Sequence, residues 1–427
     1  MPNYLILFLC FSAYGQTDFW DVERCISVGL QNSYDLQIKQ LETVRAEKAR
    51  TSRISTLLPN VRLYGSQTYD FGSTINPASN TRVSQNIQYD NFNAQATMNL
   101  LDFSSFALAG KSVLDVERSQ ISRKAAEYQY QLLVMEAFYQ AFFAQELLKI
   151  QRSQMENADY NLDRIRREVS LGSKPQSDLY DMQLSHSQEQ IRLTETAQRK
   201  EILLTELFQL LVVKVTDIED IELQTDIFSE NNGNFVYNPK LHLAELDYEY
   251  ALQEVRVQRA QLLPNLQGFY RWSTFYYKPL NSPQIQVNDF GTQISDNRNQ
   301  QFGVQLNIPV FNGFRIRKQI NAAKISAGIQ KTQLEAERQK LTNETDLIRQ
   351  KITQLAILQN ELDTAKNYAQ ASFRTAQAKF EHGKIEAVVF SSVKNQWLSA
   401  QYNALKNDIE RQYALRKRTV LEGNNFR

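Results

Sequence analysis

The sequence predicts a mainly helical fold with a small β part, built from two structural repeats. The tetrapeptide Leu-Leu-Pro-Asn stands at residues 57–60 and again at 262–265, and other motifs recur in the same order in both halves. Stretches without proline at 104–170 and 313–381 lie in corresponding positions, and apolar residues return every seven positions along the second. Self-similarity of this kind indicates two copies of one structural plan.

The composition excludes some classes of protein. The 427 residues include 48 Lys and Arg against 47 Asp and Glu, a net charge of +1, whereas a nucleic-acid-binding protein needs a surplus of cations on one face. Nine prolines and 14 glycines are too few for a loop-rich β-sandwich or a disordered linker protein. Beyond the N-terminus, no run of about 18 apolar residues predicts a membrane-spanning helix.

The N-terminus predicts a secretory signal peptide at residues 1–15. Residues 5–11 are apolar, and Ala13 and Gly15 are the small residues that signal peptidase requires before its cleavage site. A disordered N-terminus is the alternative. Cys10 leaves with the signal peptide, so Cys25 stays alone and no intramolecular disulfide can form.

The two repeats are predicted at 16–230 and 235–422, on either side of the polar segment 231–234. Each repeat reads helix, strand, strand, very long helix, helix. In the first repeat, helices are expected at about 18–57, 104–170 and 174–212, with strands at about 60–71 and 87–102. In the second repeat, helices are expected at about 239–262, 312–381 and 385–421, with strands at about 265–277 and 299–311.

The longest helices carry a coiled-coil pattern. In the second repeat, the heptad positions are Leu334, Leu341, Ile348, Leu355, Leu362, Ala369 and Ala376. A strict heptad of this length indicates a left-handed coiled coil, and an ordinary buried helix is the alternative. A helix of roughly 70 residues would be about 105 Å long, too long for a globule with a radius of gyration of about 22 Å. We therefore expect an elongated bundle of antiparallel helices that turn back near Gly172 and Gly383.

The four predicted strands alternate between polar and apolar residues. Phe302, Val304, Leu306 and Ile308 alternate with polar residues, and the other strands follow the same rule. A half-buried sheet of a soluble protein would show the same alternation. We expect the polar residues of all four strands to line a water-filled lumen: Arg62, Ser66, Thr68, Gln95, Thr97, Asn99, Arg271, Ser273, Gln301, Gln305 and Asn307.

Strand length and aromatic residues favour a β-barrel in lipid. Strands of about 10 residues suit a tilted span across the hydrocarbon layer. Aromatic residues gather at both strand ends, as interfacial girdles require: Phe103, Phe106, Phe311 and Phe314 at one end, and Tyr69, Phe71, Tyr276 and Tyr277 at the other. Four strands cannot close a barrel, so several copies must join; two would supply eight strands and three would supply twelve.

These residues resemble the TolC-like outer-membrane efflux protein family over essentially the whole mature chain. The pairs Asn32-Ser33 and Asn238-Pro239 open the two halves, Leu-Leu-Pro-Asn ends each first helix, and residues 307–313 match the family's strand-to-helix signature, which 99–105 match loosely. The resemblance implies a homotrimer with a small transmembrane β part, a 12-stranded barrel in the bacterial outer membrane above an α-helical periplasmic tunnel. It also implies docking onto a periplasmic adaptor protein and an inner-membrane pump.

The predicted function is therefore that of a passive conduit, the exit duct of a tripartite efflux or type I secretion system, gated at its periplasmic end. Catalytic residues, cofactors and metal sites are not expected, because His186, His242 and His382 lack ligand spacing and nucleotide-binding and hydrolase motifs are absent. A soluble or peripheral periplasmic coiled-coil adaptor or scaffold protein is the alternative function.

The predicted functional residues lie at the two helical turns. Asp178 and Asp181 share a helix face after Gly172, where the family places acidic rings near the entrance of the tunnel; their counterparts in the second repeat are Val389 and Ser392. The alternative is that both carboxylates are simply solvated. The turns themselves are expected to contact the adaptor, or to be merely positive-φ turns: Leu171, Gly172 and Ser173 in the first, His382, Gly383 and Lys384 in the second. The polar loops 72–86 and 278–299 are expected to be extracellular.

Overall fold

The computed structural model describes residues 18–75, 80–84, 86–214, 221–225, 237–280 and 286–422. The predicted signal peptide at 1–15 and the predicted junction at 231–234 lie outside these ranges. The helices within the described ranges are α1 Val22–Asn32, α2 Tyr34–Ala49, α3 Phe103–Ser170, α4 Gln176–Leu210, α5 Pro239–Ala260, α6 Phe290–Asp296, α7 Arg315–Glu381 and α8 Ala387–Leu421. The strands are β1 Asp18–Trp20, β2 Asn60–Asp70, β3 Ser73–Ile75, β4 Arg82–Ser84, β5 Ile87–Asp102, β6 Ile221–Leu223, β7 Asn265–Pro279 and β8 Asn299–Asn307. The predicted fold class, mainly helical with a small β part, is confirmed.

The first predicted helix, 18–57, is wrong as a single element. Asp21 has an extended backbone and its side chain accepts a hydrogen bond from the N–H of Arg24, so it begins α1 after the short strand β1. Ser33 leaves the helical region at ψ 121°, which separates α1 from α2. A 3₁₀ turn at Ser55–Leu57 then precedes β2.

Two other boundaries differ from the prediction for identifiable reasons. β8 ends at Asn307 instead of extending to 311, and Pro309 beyond it has no N–H to donate to a ladder. α7 begins at Arg315 instead of 312, because Gly313 and Phe314 have φ values of +63° and +61°, which a right-handed helix does not allow. The loops predicted at 72–86 and 278–299 contain the β3–β4 hairpin and α6.

The described residues fall into two compact units, and the first comprises residues from 1–42, 121–243 and 335–427. Its main core joins residues of α1, α3, α4, α7 and α8, including the fully buried Phe138 and Leu207. The heptad positions that lie in this unit, from Leu341 to Ala376, are buried or half-buried. The unit also contains a small parallel pair of strands, β1 with β6. The buried side-chain amide of Gln145 in α3 bonds both the N–H and the C=O of Leu223 in β6 at 2.9 Å.

The second unit, residues from 43–120 and 244–334, contains the main sheet. Its strands are antiparallel throughout and lie in the order β2-β5-β7-β8. A β-bulge interrupts β5 between Asn99 and Leu101. Beside the sheet, α3 and α5 are joined by the ion pairs Lys111–Glu254 and Arg118–Asp247. Burial alone would lower the pKa of Lys111, but hydrogen bonding to Glu254 raises it.

Candidate functional site

The strand register brings the predicted lumen residues to one face of the sheet. Arg62, Gln95, Arg271 and Gln301 are direct cross-strand neighbours on the four strands. Because side chains alternate along a strand, the register places the whole predicted set on this polar face: Arg62, Ser66, Thr68, Gln95, Thr97, Asn99, Arg271, Ser273, Gln301, Gln305 and Asn307.

The opposite face of the sheet is mainly apolar and open. Towards the end remote from α5 it also carries Gln67, Gln88, Asp90 and Lys278, and the buried Asp90 accepts a hydrogen bond from Gln88. Leu63 on β2 is 82% exposed and Phe302 on β8 is 85% exposed, and Val304 next to Phe302 on the same face is exposed as well. Aliphatic side chains on a sheet surface are normally buried against a core. This apolar face therefore requires a covering that the two compact units do not provide within the described residues.

Two aromatic residues lie among the polar residues of the polar face. Phe269 lies on the polar face, where it contacts Gly303: a Cβ added to Gly303 would lie 3.1 Å from Cζ of Phe269. Tyr64 also lies on this face, as its place in the sequence alternation indicates. A glycine at a polar-face position opposite a phenylalanine is the signal that could have identified this contact.

The aromatic residues at the strand ends are mostly exposed. Phe311 and Phe314 meet edge to face at 5.5 Å, and both are exposed. At the other end of the sheet Tyr69 and Phe71 are exposed. Tyr277 differs, because it lies on the polar face and is buried.

The two helical turns have the same backbone geometry. Gly172 and Gly383 have φ values of +72° and +70°. In each turn the glycine N–H bonds the carbonyl three residues earlier, and the next N–H bonds the carbonyl five residues earlier. This is the hydrogen-bonding pattern that ends a helix at a glycine in the left-handed conformation. All of the predicted contact residues are exposed: Leu171, Gly172, Ser173, His382, Gly383 and Lys384.

The two predicted acidic residues differ in their environment. Asp178 is close to Lys174, with 3.3 Å between Oδ2 and Nζ, and both side chains are largely buried. Asp181 is half-buried, and it forms no ion pair within the described ranges. The structure therefore balances the charge of Asp178 locally and leaves that of Asp181 without a cation.

Sequence reasoning missed two groups of residues near the turns. Arg164 of α3 donates to the carbonyl oxygens of Phe380 and Glu381 at the end of α7, and its guanidinium lies 4.5 Å from the Phe380 ring. The Phe380 ring stacks on Phe390 at 4.6 Å. Phe380 and Phe390 flank Gly383 closely in sequence, which is the signal that could have identified them.

The second missed group is an ion pair between α4 and α8. Nζ of Lys394 lies 2.9 Å from a carboxylate oxygen of Glu189, and the side chains are 3% and 1% exposed. Lys394 also donates to Oγ of Ser185 at 2.8 Å. A single lysine in a long helix gives no sign in the sequence that it will be buried.

The described part of the chain contains neither a reactive thiol nor a metal-binding cluster nor a membrane-spanning helix. Cys25 is buried, and this burial, with a smaller contribution from Asp21, raises the pKa of its thiol to about 12. The described ranges hold no group of three or more His, Cys, Asp or Glu side chains that could bind a metal ion. None of the described helices has both the length and the hydrophobicity needed to cross a membrane.

Comparison with known proteins supports the channel interpretation. The model of the family described as outer membrane efflux protein matches residues 236–417. The resemblance to the TolC-like efflux family is confirmed. No curated protein sequence matches the chain significantly.

Solved structures of membrane channels share the fold. A structure of CusC, from a study of transmembrane channel formation, is 16% identical with a TM-score of 0.79, and the match covers 99% of each chain. The CmeC outer membrane channel of Campylobacter jejuni is 13% identical with a TM-score of 0.81, covering 95% of this chain and 86% of CmeC. The open MtrE outer membrane channel of Neisseria gonorrhoeae is 15% identical with a TM-score of 0.76, covering 94% and 89%. The matching family and the CmeC and MtrE channels are described as outer-membrane proteins, in agreement with the predicted location.

Proposed function

We propose that three copies of the chain form a passive channel in the bacterial outer membrane, the exit duct of a tripartite efflux or type I secretion system. The twelve strands of the trimer close a barrel, and the long helices form a periplasmic tunnel. The observation that carries this proposal is the four-stranded sheet, with one polar face, one exposed apolar face and two open edges.

The edges of the sheet allow copies to join. β2 and β8 are the outer strands, and they run in opposite directions because an even number of antiparallel strands separates the two edges. β8 of one copy can therefore pair with β2 of the next copy and continue the antiparallel pattern. Closure in a ring satisfies the backbone groups that lipid would leave without hydrogen bonds.

The two faces of the sheet fit the two environments of a barrel wall. Leu63, Phe302 and Val304 face lipid, where their exposure is favourable. Arg62, Arg271 and the Gln, Asn, Ser and Thr residues of the polar face then line a water-filled lumen. Such a duct needs no catalytic group, so we propose no enzymatic activity.

The helical turns are proposed as the contact with an adaptor protein, which in turn reaches an inner-membrane pump. Leu171 is 82% exposed at the first turn, and His382 and Lys384 are exposed at the second. The leucine supplies an exposed apolar side chain, and the histidine and lysine supply polar ones, for the proposed contact. Asp178 and Asp181 follow the first turn and are proposed to lie at the gated periplasmic entrance, where carboxylates favour cations.

The experiment compares two neighbouring residues on β8 whose side chains point to opposite faces. Val304→Asp places a carboxylate on the proposed lipid face, at a cost somewhat below the roughly 2–4 kcal/mol of an arginine or lysine near the bilayer centre, and we expect loss of membrane insertion. Gln305→Asp places the same carboxylate on the proposed lumen face, and we expect insertion to be retained. Both variants are measured by outer-membrane fractionation with urea washes and by conductance in planar bilayers.

Equal behaviour of the two variants would contradict the proposal. If neither variant loses insertion and urea removes the parent protein from membranes, a peripheral coiled-coil scaffold becomes the better interpretation. The mass of the purified complex gives an independent test, because we expect three times the mass of one chain.

The contact at the turns is tested separately. Leu171→Asp leaves the glycine turn intact, and we expect it to reduce export by the complete pump while conductance of the purified channel is unchanged. Ile357→Asp, an exposed residue in the middle of α7, is the matched control. Normal export by Leu171→Asp would remove the docking role of the first turn.

A further inference from the structure

We propose that the groove between α6 and the apolar face of the sheet binds an acyl chain of lipid A, the phosphorylated glycolipid of the outer leaflet, with Lys278 beside its head group. This inference rests on the proposed function, because it requires the apolar face to meet lipid.

The floor of the groove is apolar. Leu63, Ala94 and Trp272 are direct neighbours across three strands and share the apolar face. Phe290 and Ile294 of α6 form the facing wall, and the groove has a volume of about 430 Å³. The hydroxyl of Thr274 lines it as well, but this hydroxyl donates to the carbonyl of Ile294 at 2.8 Å. The groove therefore suits a hydrocarbon chain better than a polar ligand.

Hydrogen bonds hold α6 in place, so the groove exists before any ligand binds. The side-chain amide of Gln293 bonds both the N–H and the C=O of Tyr277 at 3.0 Å, as a neighbouring strand would. Asn297 donates to the carbonyl of Phe275 at 2.9 Å. A groove formed in advance costs less ordering on binding than one that a ligand must open.

Aromatic contacts fix the wall against the sheet. The Phe290 ring meets Tyr276 at 5.2 Å and Phe92 at 6.2 Å, both edge to face. These pairs keep Phe290 over the apolar face although half of its surface is exposed. The groove opens towards Leu63, one of the most exposed apolar residues of this face, and is thus continuous with the proposed lipid surface.

The level of the groove points to the outer leaflet. β8 pairs with β7 only as far as Ser273, and α6 occupies the β7 edge beyond that point. This end of β7 is remote from α5, which leads into the other end of the strand. In the proposed channel the long helices are periplasmic, so the groove extends from the middle of the sheet, at Trp272, towards the extracellular side. Lys278 is exposed there on the same face as Trp272 and Tyr276, where a lysine attracts a phosphorylated head group.

The test uses the fluorescence of Trp272, since the chain's other tryptophans, Trp20 and Trp397, are buried in the other compact unit. The full chain is reconstituted in vesicles of phosphatidylcholine with brominated acyl chains, which quench tryptophan on contact. Unbrominated lipid A or unbrominated phosphatidylcholine is then added, and Trp272→Phe identifies the signal of Trp272. We expect lipid A to relieve the quenching at roughly one tenth of the concentration that phosphatidylcholine requires.

Two pairs of variants locate the site. Ala94→Phe fills the floor of the groove and should abolish the preference for lipid A. Ala96→Phe makes the same change one step along the same face, outside the groove, and should keep the preference. Lys278→Gln should reduce the preference about fivefold, whereas Arg271→Gln on the polar face should not.

The outcomes separate this inference from the proposed function. If Trp272 is quenched but lipid A and phosphatidylcholine relieve it equally, the channel stands and the groove holds only ordinary lipid. The same conclusion follows if Ala96→Phe acts like Ala94→Phe. If no brominated lipid quenches Trp272 and the groove is shielded by a second copy of the chain, the groove proposal fails while Val304→Asp still blocks insertion. If Val304→Asp also inserts normally, the proposed function itself fails.

Discussion

The two helical turns share one backbone and carry different surfaces. Gly172 and Gly383 have nearly equal φ values, and the hydrogen bonds that end the preceding helices follow the same pattern. The residue before the glycine, however, is Leu171 in one turn and His382 in the other. The backbone is determined by the geometry of a helix end, which allows few conformations. The exposed side chains are not constrained in this way and can differ according to what each turn contacts.

The helices after the two turns also contribute unequal partners to one interaction. Glu189 follows the first turn on α4, and Lys394 follows the second on α8. Both charges are buried, and each lies closest to its partner in the other repeat; Arg192 of α4, 3.7 Å from Glu189, is the more distant second cation. The repeats therefore differ where they meet, although each turn on its own follows the same plan.

The largest expected effect comes from breaking this buried pair. Lys394→Met leaves the buried carboxylate of Glu189 with only the more distant and more exposed Arg192 as its cation, which should destabilise the protein by up to roughly 3–5 kcal/mol. The measurement is urea unfolding of the purified protein, followed by helical circular dichroism. The double variant Glu189→Leu with Lys394→Met removes both charges and should recover most of the loss. A single variant within about 1 kcal/mol of the parent would show that the pair is not buried in solution.

A smaller effect tests whether the two turns are equivalent. Gly172→Val and Gly383→Val each force a β-branched residue into the left-handed region, at a cost of roughly 1–2 kcal/mol. Because a Cβ at either position meets no atom within 4 Å, the cost is conformational and should be the same in both turns. Gly328→Ala, inside α7 and equally unobstructed, is the control and should stabilise by up to about 1 kcal/mol. Unequal losses at 172 and 383 would contradict the equivalence.

The smallest effect on stability concerns the charges beside the turns. Asp181→Asn should change stability by less than about 1 kcal/mol. Asp178→Asn removes the carboxylate beside the largely buried Lys174 and should cost about 1 kcal/mol. Cation preference, measured as a reversal potential in planar bilayers, should fall more for Asp181→Asn, since Lys174 already balances Asp178. Val389→Asp with Ser392→Asp gives the second turn the missing charges and should increase the preference. An unchanged reversal potential in all three variants would remove the proposed role of these carboxylates at the entrance.

Much of the fold follows from local patterns in the sequence. The period of two in the strands predicts which residues share a face, and the register agrees even at Tyr64, where the pattern is irregular. The period of seven predicts the buried positions of α7, such as Leu341 and Ile348. Both patterns work because side-chain direction depends only on position within a regular element.

Features that depend on partners distant in sequence could not be predicted. The separation of β1 from the first predicted helix reflects pairing of β1 with β6, some 200 residues away. The burial of Lys394 depends on Glu189 of another helix, and Gln293 replaces a strand at the edge of β7. Neither a single lysine nor a single glutamine shows from its neighbours in the sequence that it will be buried or will bond to a strand edge.

Because β2 and β8 run in opposite directions, strand pairing alone does not determine how many copies of the chain join. A four-stranded sheet whose two edge strands are antiparallel to each other can pair with another copy at both edges, so the pairing itself sets no limit on the number of copies. The number of copies in a closed ring is then decided by how sharply each sheet bends. The bulge at Asn99, which increases the local twist of β5, is one such determinant, so its removal should enlarge or open the ring without weakening the individual chain.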